Sequence, residues 1–425
     1  MINKLIFCFT SLFIIISEYV CYKYNANYDE FIIKIIDRLA AQNIFYIKII
    51  QALSTNSVLF SSKLIEYMRD YTDNVPYTND DINYECLTDI YKYNLKNPNQ
   101  KLNIIFDKPI KSGTVSLVYE GYYNNRKVAI KIIRKDMQHK IIPILDNMDL
   151  IIKIISKIPA LATFNLYELF KENNLLFIEQ TDFKKEISNI KIIYNNYKNN
   201  NNIHIPKVYS KFTKLNSNMI VMDFITGKKI NEIEKTDAET YYSIIAKFGL
   251  KNLLFNRLYH ADLHPGNILF LKNNKNECEI GVIDFGIMGE ITKQHQNQIY
   301  NFMMILCGET IDYKKLSKEI LLHYIEPQFI LQNLNKSIIA NLEVAIANII
   351  ERAIQDNGHI GAQELFNINK ILIKYNLKLA RYFCKIILAA VISESVTFSL
   401  GINCKIYEST KTIVNELFPT YLIDY

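Results

Sequence analysis

Two short apolar runs, Ile268-Leu269-Phe270-Leu271 and Ile280-Gly281-Val282-Ile283, flank the polar stretch Asn273-Asn274-Lys275-Asn276-Glu277. Runs of that length around a turn predict a β-hairpin. Residues 109–133 predict further strands. A small-residue turn, Lys111-Ser112-Gly113-Thr114, enters an apolar run; Asn124-Asn125 reads as a hairpin turn; and Val128-Ala129-Ile130-Lys131 alternates behind it. Ile203–Tyr209 and Met219–Phe224 predict two more strands. Most of the remainder has helical period: 31–70, with apolar positions at Ile32, Ile35, Ile36 and Leu39, then 141–161, 166–197, 239–258, 294–307, 313–323, 336–355 and 368–400. Residues 73–100 are polar and read as turn-rich, so a boundary is expected near residue 100.

At 425 residues the chain is long enough for two or three domains, and 49% hydrophobic residues are ample for a core. The net charge of +6 is mild and the lysines are scattered, so nucleic acid is not an expected partner. Seven cysteines without a Cys-x-x-Cys spacing predict neither a zinc site nor a disulfide framework, and suit a reducing compartment. Leu5–Ile16 is an apolar run softened by Thr10 and Ser11. It is short of the ~20 residues a bilayer span needs, and fits a signal-type segment or a membrane-surface anchor within residues 1–24, with a buried helix as the plain alternative. It is not Arg-rich, so mitochondrial import is not indicated. Arg381–Phe398 is apolar but carries Lys385 and Glu394, which favours a core helix over a span.

The chemistry-bearing residues cluster around the strands. Before the hairpin stands His260-Ala261-Asp262-Leu263-His264-Pro265-Gly266-Asn267, and after it Asp284-Phe285-Gly286. Asp262 with Asn267 five positions on has the spacing of a protein-kinase catalytic loop, and Asp-Phe-Gly matches the kinase metal-binding triplet. Phosphoryl transfer needs these groups: a carboxylate to take the hydroxyl proton, and an amide oxygen and second carboxylate to hold Mg²⁺. Each motif alone is more often an ordinary turn. Lys131 ends a strand that matches the kinase Val-Ala-Ile-Lys, and can reach α- and β-phosphates. Gly113 permits close backbone approach to phosphate. Met219–Gly227 resembles the last small-lobe strand running into a hinge, where backbone near Asp223–Ile225 would bind an adenine edge. After Gly289 the chain passes straight into helix and no Ala-Pro-Glu follows, leaving little room for a long activation loop.

Together these residues resemble the UbiB / aarF-domain-containing kinase-like family, atypical kinases tied to ubiquinone and other isoprenoid-lipid metabolism. The resemblance covers roughly residues 30–400. It rests on the His260–Asn267 motif, on Asp182-Phe183-Lys184-Lys185-Glu186, and on Lys48-Ile49-Ile50-Gln51, similar to the family's Lys-x-Gly-Gln signature. It implies an α+β, protein-kinase-like two-lobe fold with a small antiparallel-sheet N-lobe, inserted helices, a mostly helical C-lobe and an N-terminal helical extension. The expected divisions are 1–24, 25–100, 101–225 and 226–425.

The resemblance also implies ATP and Mg²⁺ as cofactors. Asp262, Lys131 and Glu186 would be catalytic, with Glu186 orienting Lys131 and Glu179 a second candidate for that partner. Lys111, Ser112, Gly113, Thr114, Val118, Ala129, Met222, Asp223, Phe224 and Ile225 would line the nucleotide, Asn267 and Asp284 would hold the metal, and Lys48 and Gln51 would be regulatory. A lipid or membrane surface is a further implied partner. Ile50 stands where the family has Gly, and Gly113 where its loop has Ala. Two other readings stay open: a small-molecule phosphotransferase of the aminoglycoside or choline kinase type, and a non-catalytic lipid-binding pseudokinase.

Overall fold

The computed structural model describes residues 2–25, 27–42, 46–47, 61, 63–64, 67–68, 75–106, 108–155, 178–357, 360, 362–402 and 406–417. These fall into two compact units, Met1–Asn196 with Ile205–Ile225, and Tyr197–His204 with Thr226–Tyr425.

The first unit opens with helices α1 (Ile2–Asn25) and α2 (Tyr28–Gln42). They lie against each other: Tyr22 stacks on Phe31 with centroids 4.9 Å apart, and Arg38 Nη1 meets Glu18 Oε1 at 2.5 Å. The apolar run at Leu5–Ile16 is thus part of a longer helix. No helix among the described residues is long and apolar enough to cross a membrane.

Residues 73–100 are not all turn, because α3 (Tyr84–Lys96) occupies half of them. The Asn83 side chain caps it, accepting the Cys86 amide at 3.3 Å. Cys86 and Ile90, one turn apart, are its buried positions. Two buried positions among Tyr, Asn and Lys make too thin a stripe to announce a helix without the surface it packs on.

Strands β1 (Leu102–Ile105), β2 (Lys111–Ser112), β3 (Ser116–Tyr123) and β4 (Arg126–Ile133) follow, then α4 (Met137–Ile155), α5 (Phe183–Tyr197), the two-residue β5 (Ile203–His204), α6 (Ser210–Leu215) and β6 (Met219–Asp223). An antiparallel sheet runs β1-β3-β4-β6, with β2 also paired to β3. The β3–β4 turn is the expected Asn124-Asn125, both at positive φ (49° and 60°), as a primed hairpin turn requires. Period-two alternation gives the sheet two faces. Leu117, Tyr119, Val128, Ile130, Ile132, Met219 and Val221 join Cys86 and Ile90 in one apolar cluster. The strand expected over Ile203–Tyr209 is shorter than its apolar pattern. It pairs only at β5; Pro206 lacks a donor, Val208 makes a single bridge to Met222, and the chain turns into α6.

In the second unit α7 (Ala238–Asn256) ends at Arg257, whose φ of 58° is left-handed. The chain reverses there into β7 (Leu258–His260). β8 (Ile268–Lys272) and β9 (Cys278–Val282) form the expected hairpin, with β5 parallel beside β9, and β10 (Met288–Glu290) pairs back onto β7. Thr292 caps α8 (Lys293–Leu306), so helix does begin directly after β10. Next come α9 (Tyr313–His323), β11 (Ile325–Glu326), α10 (Gln328–Gln332), α11 (Lys336–Asn357), α12 (Ala362–Ile373), β12 (Lys378–Leu379), α13 (Arg381–Ser399) and α14 (Ile406–Leu417). Leu316, Ile346, Ile350, Leu372 and Val414, all buried, centre its core. The helix expected over 368–400 is two helices. Asn376 takes a left-handed conformation (φ 56°), and β12 pairs with β11, so sheet pairing interrupts a continuous apolar pattern.

A Cβ at Gly121 in β3 would lie 2.5 Å from the Asn103 carbonyl oxygen and 2.7 Å from Ile130 Cδ1. Gly121→Ala must therefore push β1 off the sheet or displace its core. The expected cost is about 1–3 kcal/mol, read as a lower urea midpoint at unchanged slope. Wild-type stability would contradict this packing.

Candidate functional site

The candidate residues form two groups, one in each unit. In the first, antiparallel register sets Lys131 opposite Val118 and Ile220, and Ala129 opposite Glu120 and Met222. Residues paired across strands share a face. Val118, Ala129, Lys131 and Met222 therefore lie together on the face opposite α3. Glu186, on the first turn of α5, comes to Lys131 across a sequence separation of 55: its Oε1 is 2.6 Å from Lys131 Nζ. Both side chains are buried (9% and 1% exposed), so neither charge is screened by bulk water. The Phe183 ring lies 5.6 Å from the same ammonium. Glu179 pairs with Lys185 at 2.7 Å, so Glu186 is the acidic candidate brought to Lys131.

The β2–β3 turn is tight. The Gly113 amide donates to the Ser116 carbonyl at 2.9 Å, and a Cβ on Gly113 would lie 3.3 Å from that oxygen. Ser112 and Thr114 are buried, and Lys111 is half-buried opposite Val118. At the far end of β6, Asp223 Oδ1 accepts the Tyr209 hydroxyl at 2.6 Å. Burial first, and Asp223 second, push the Tyr209 phenol up to about 12, so it stays a donor. The Phe224 amide donates to the Lys127 carbonyl at 3.3 Å, and the Lys127 ammonium sits 4.1 Å above the Phe224 ring. Ile225 follows, half-buried.

The second group is built around a ring that no motif spacing assigns a task. His260 Nε2 lies 2.7 Å from the Asp284 carbonyl oxygen, and the Asp262 amide donates to His260 Nδ1 at 3.2 Å. A carbonyl can only accept and an amide N–H can only donate, so the proton is on Nε2 and the ring is neutral. Burial holds its pKa below the ordinary value, which keeps it so. One imidazole thus spans the backbones of both candidate carboxylate residues. Asn267 Nδ2 donates to the Asp262 carbonyl at 2.9 Å, which turns its Oδ1 the other way. The Ile283 amide donates to the Asn267 carbonyl at 3.1 Å, extending the β8–β9 ladder to the residue before Asp284. Asp284 Oδ1 accepts the Gly286 amide at 2.9 Å, and Phe285 is buried beside the His260 ring. His264 Nδ1 accepts the Gly266 amide at 3.1 Å, shaping the Pro265–Asn267 turn.

An amide oxygen and a carboxylate oxygen are hard donors, the set that suits Mg²⁺ shared with phosphate. In the second unit Asn267 and Asp284 offer one oxygen donor of each kind. Lys48 and Gln51 lie outside the described residues.

Residues 72–319, more than half of the chain, match the family model described as "ABC1 atypical kinase-like domain". The chain is 22% identical over 371 residues to the uncharacterized protein slr1919 of Synechocystis sp., covering 85% of this chain and 62% of that protein. It is 24% identical over 281 residues to the probable protein kinase UbiB of Tolumonas auensis, covering 64% and 50%. It thus spans about half to three fifths of the length of these relatives. The solved structure of Rv3197 with erythromycin, from Mycobacterium tuberculosis, is 16% identical with a TM-score of 0.48, over 88% of this chain and 92% of that one.

Glu186→Gln would take the charge from the buried 2.6 Å pair. Breaking such a pair from one side is expected to cost about 3 kcal/mol, measurable by urea denaturation without ligand. A change below about 0.5 kcal/mol would place the pair in the class of weak exposed bridges.

Proposed function

Because the chain belongs to the ABC1 atypical kinase-like family, we propose that it binds ATP with Mg²⁺ and transfers or hydrolyses the terminal phosphoryl group. The observation that carries this reading is the buried Lys131–Glu186 pair: a charge held at 2.6 Å on the strand face that also bears Val118, Ala129 and Met222. Lys131 holds the α/β-phosphates and Glu186 fixes where its ammonium points. Asp262 accepts the proton of the attacking hydroxyl or water. Asn267 Oδ1 and the Asp284 carboxylate hold Mg²⁺, which when bound neutralises phosphate charge. The turn at Lys111–Thr114 covers the phosphates, and the backbone of Asp223–Ile225 pairs with the edge of the base.

His260 accounts for the precision this chemistry needs, since errors near 1 Å in placement cost orders of magnitude in rate. The resemblance carried by His260–Asn267 extends this reading to work connected to isoprenoid-lipid metabolism, and the likeness to a probable protein kinase UbiB supports the phosphoryl-transfer part of it. The short passage from Gly286 to the Thr292 cap supports an acceptor other than an extended peptide.

A second observation favours a bilayer surface as partner. Phe9, Leu12, Phe13, Ile16 and Val20 follow the i, i+3, i+4, i+7, i+11 spacing of one face of α1, and all are exposed, Phe9 by 72% and Phe13 by 65%. The opposite face buries Ile14 between two polar residues: Ser11 Oγ accepts the Tyr46 hydroxyl at 2.6 Å, and Glu18 pairs with Arg38. A contiguous apolar face left exposed marks a surface for an apolar partner. Tyr19, Tyr22 and Lys23 at one end are residue types that favour a membrane interface.

Two measurements test these readings. In a thermal shift with Mg²⁺ and ATP, a ligand at 100 times its dissociation constant should stabilise wild type by about 2.7 kcal/mol, and Asp284→Asn should lose that shift; absence of a shift in wild type refutes the nucleotide reading. Co-sedimentation with anionic vesicles should fall about tenfold or more on Phe13→Asp with Ile16→Asp, from the loss of two buried apolar side chains. Unchanged vesicle binding would remove α1 as the contact.

A further inference from the structure

Arg134 lies one residue beyond β4 and three beyond Lys131, yet it is among the most buried large side chains described, 2% exposed. Every nitrogen of its guanidinium is used. Nε and Nη2 both donate to the Gly113 carbonyl, at 3.0 and 2.8 Å. Nη2 also donates to Ser112 Oγ at 3.0 Å. Nη1 donates to the Pro76 carbonyl at 3.1 Å and lies 3.1 Å from Asp81 Oδ2. Its backbone takes part as well, the Arg134 amide donating to the Val115 carbonyl at 2.9 Å. Ser112 closes the circuit: its hydroxyl donates to the Val75 carbonyl at 2.6 Å, and its own carbonyl accepts the Val75 amide at 2.9 Å. One residue therefore grips the 112–115 turn from both sides and ties it to the 75–81 segment.

Resting on the nucleotide reading above, we infer that Arg134 is a positioning residue for the phosphates: it holds the Ser112–Val115 turn in its closed form before nucleotide arrives, at a fixed offset from Lys131. A buried side chain needed only for packing would be apolar, because burying a guanidinium demands that each donor be paired. Here Nε and Nη2 fork onto one carbonyl and Nη2 adds the hydroxyl beside it, while Nη1 ties the group to Pro76 and Asp81. Only a planar fork makes that grip, so lysine cannot replace it. Arg134 and Lys131 are joined through Ile132 and Ile133 at the end of β4, so the offset of the turn from Lys131 does not await ligand binding. A preformed turn spares the ordering cost that a mobile loop imposes on each binding event.

The test uses the full chain and steady-state Mg–ATP hydrolysis. Arg134→Lys keeps the charge beside Asp81 and removes the fork. KM for Mg–ATP should rise about tenfold with kcat within about threefold of wild type, the signature of lost binding without lost chemistry. A folded Arg134→Lys variant with wild-type KM, or one that loses only kcat, overturns the inference. Hydrogen exchange of wild type covers the case in which the variant does not fold. Amides across 113–118 should be protected without nucleotide and change little when it is added. Exchange at free-chain rates without nucleotide, with protection appearing only on addition, overturns the inference too. A wild-type protein that neither binds nor hydrolyses Mg–ATP refutes the nucleotide reading, and with it any role of Arg134 toward phosphate, whatever the exchange data show.

Discussion

The buried ion pair between Lys131 and Glu186 sets a demanding constraint on the first unit. Removing two charges from water costs several kcal/mol per ion, and their attraction offsets this only when the geometry is good. At 2.6 Å and almost no exposure the geometry is good, but it depends on two elements far apart in sequence. β4 must present Lys131 on the face away from α3, which its alternation does because Val128, Ile130 and Ile132 claim the other face. α5 must bring its first turn to the same place. The apolar cluster under the sheet thus fixes the position of a charge on top of it.

The second unit solves a related problem with a neutral group. Two candidate carboxylate residues, 22 positions apart in the chain, need a constant relation while the hairpin β8–β9 lies between them. His260 supplies it, with one ring nitrogen donating to the Asp284 carbonyl and the other accepting the Asp262 amide. A charged imidazolium could not accept that amide, so burial, which keeps the ring neutral, preserves the link between the two backbones.

Arg134 and His260 illustrate one economy. Each is a buried polar side chain that bonds backbone groups, Arg134 adding the Asp81 carboxylate and the Ser112 hydroxyl. Each stands next to candidate site residues and holds their main chain in place. Stabilising the backbone around a site leaves the reacting side chains available, as precise active sites require.

The sequence by itself determined what depends on near neighbours. The β8–β9 hairpin, the Asn124-Asn125 turn, the alternation of Val128–Lys131 and the type of each candidate side chain were all legible, because period and turn chemistry act over a few residues. The resemblance carried by His260–Asn267, Asp182–Glu186 and Lys48–Gln51 pointed to the family that the model match to residues 72–319 establishes. Tertiary structure alone decided the rest. α3 forms on two buried positions because a sheet lies beneath them, and the apolar run at 368–400 breaks because β12 pairs with β11. Glu186 rather than Glu179 meets Lys131, and the buried roles of His260 and Arg134 exist only in three dimensions. These outcomes turn on partners tens of residues away, and a burial energy set by distant neighbours leaves no local pattern to read.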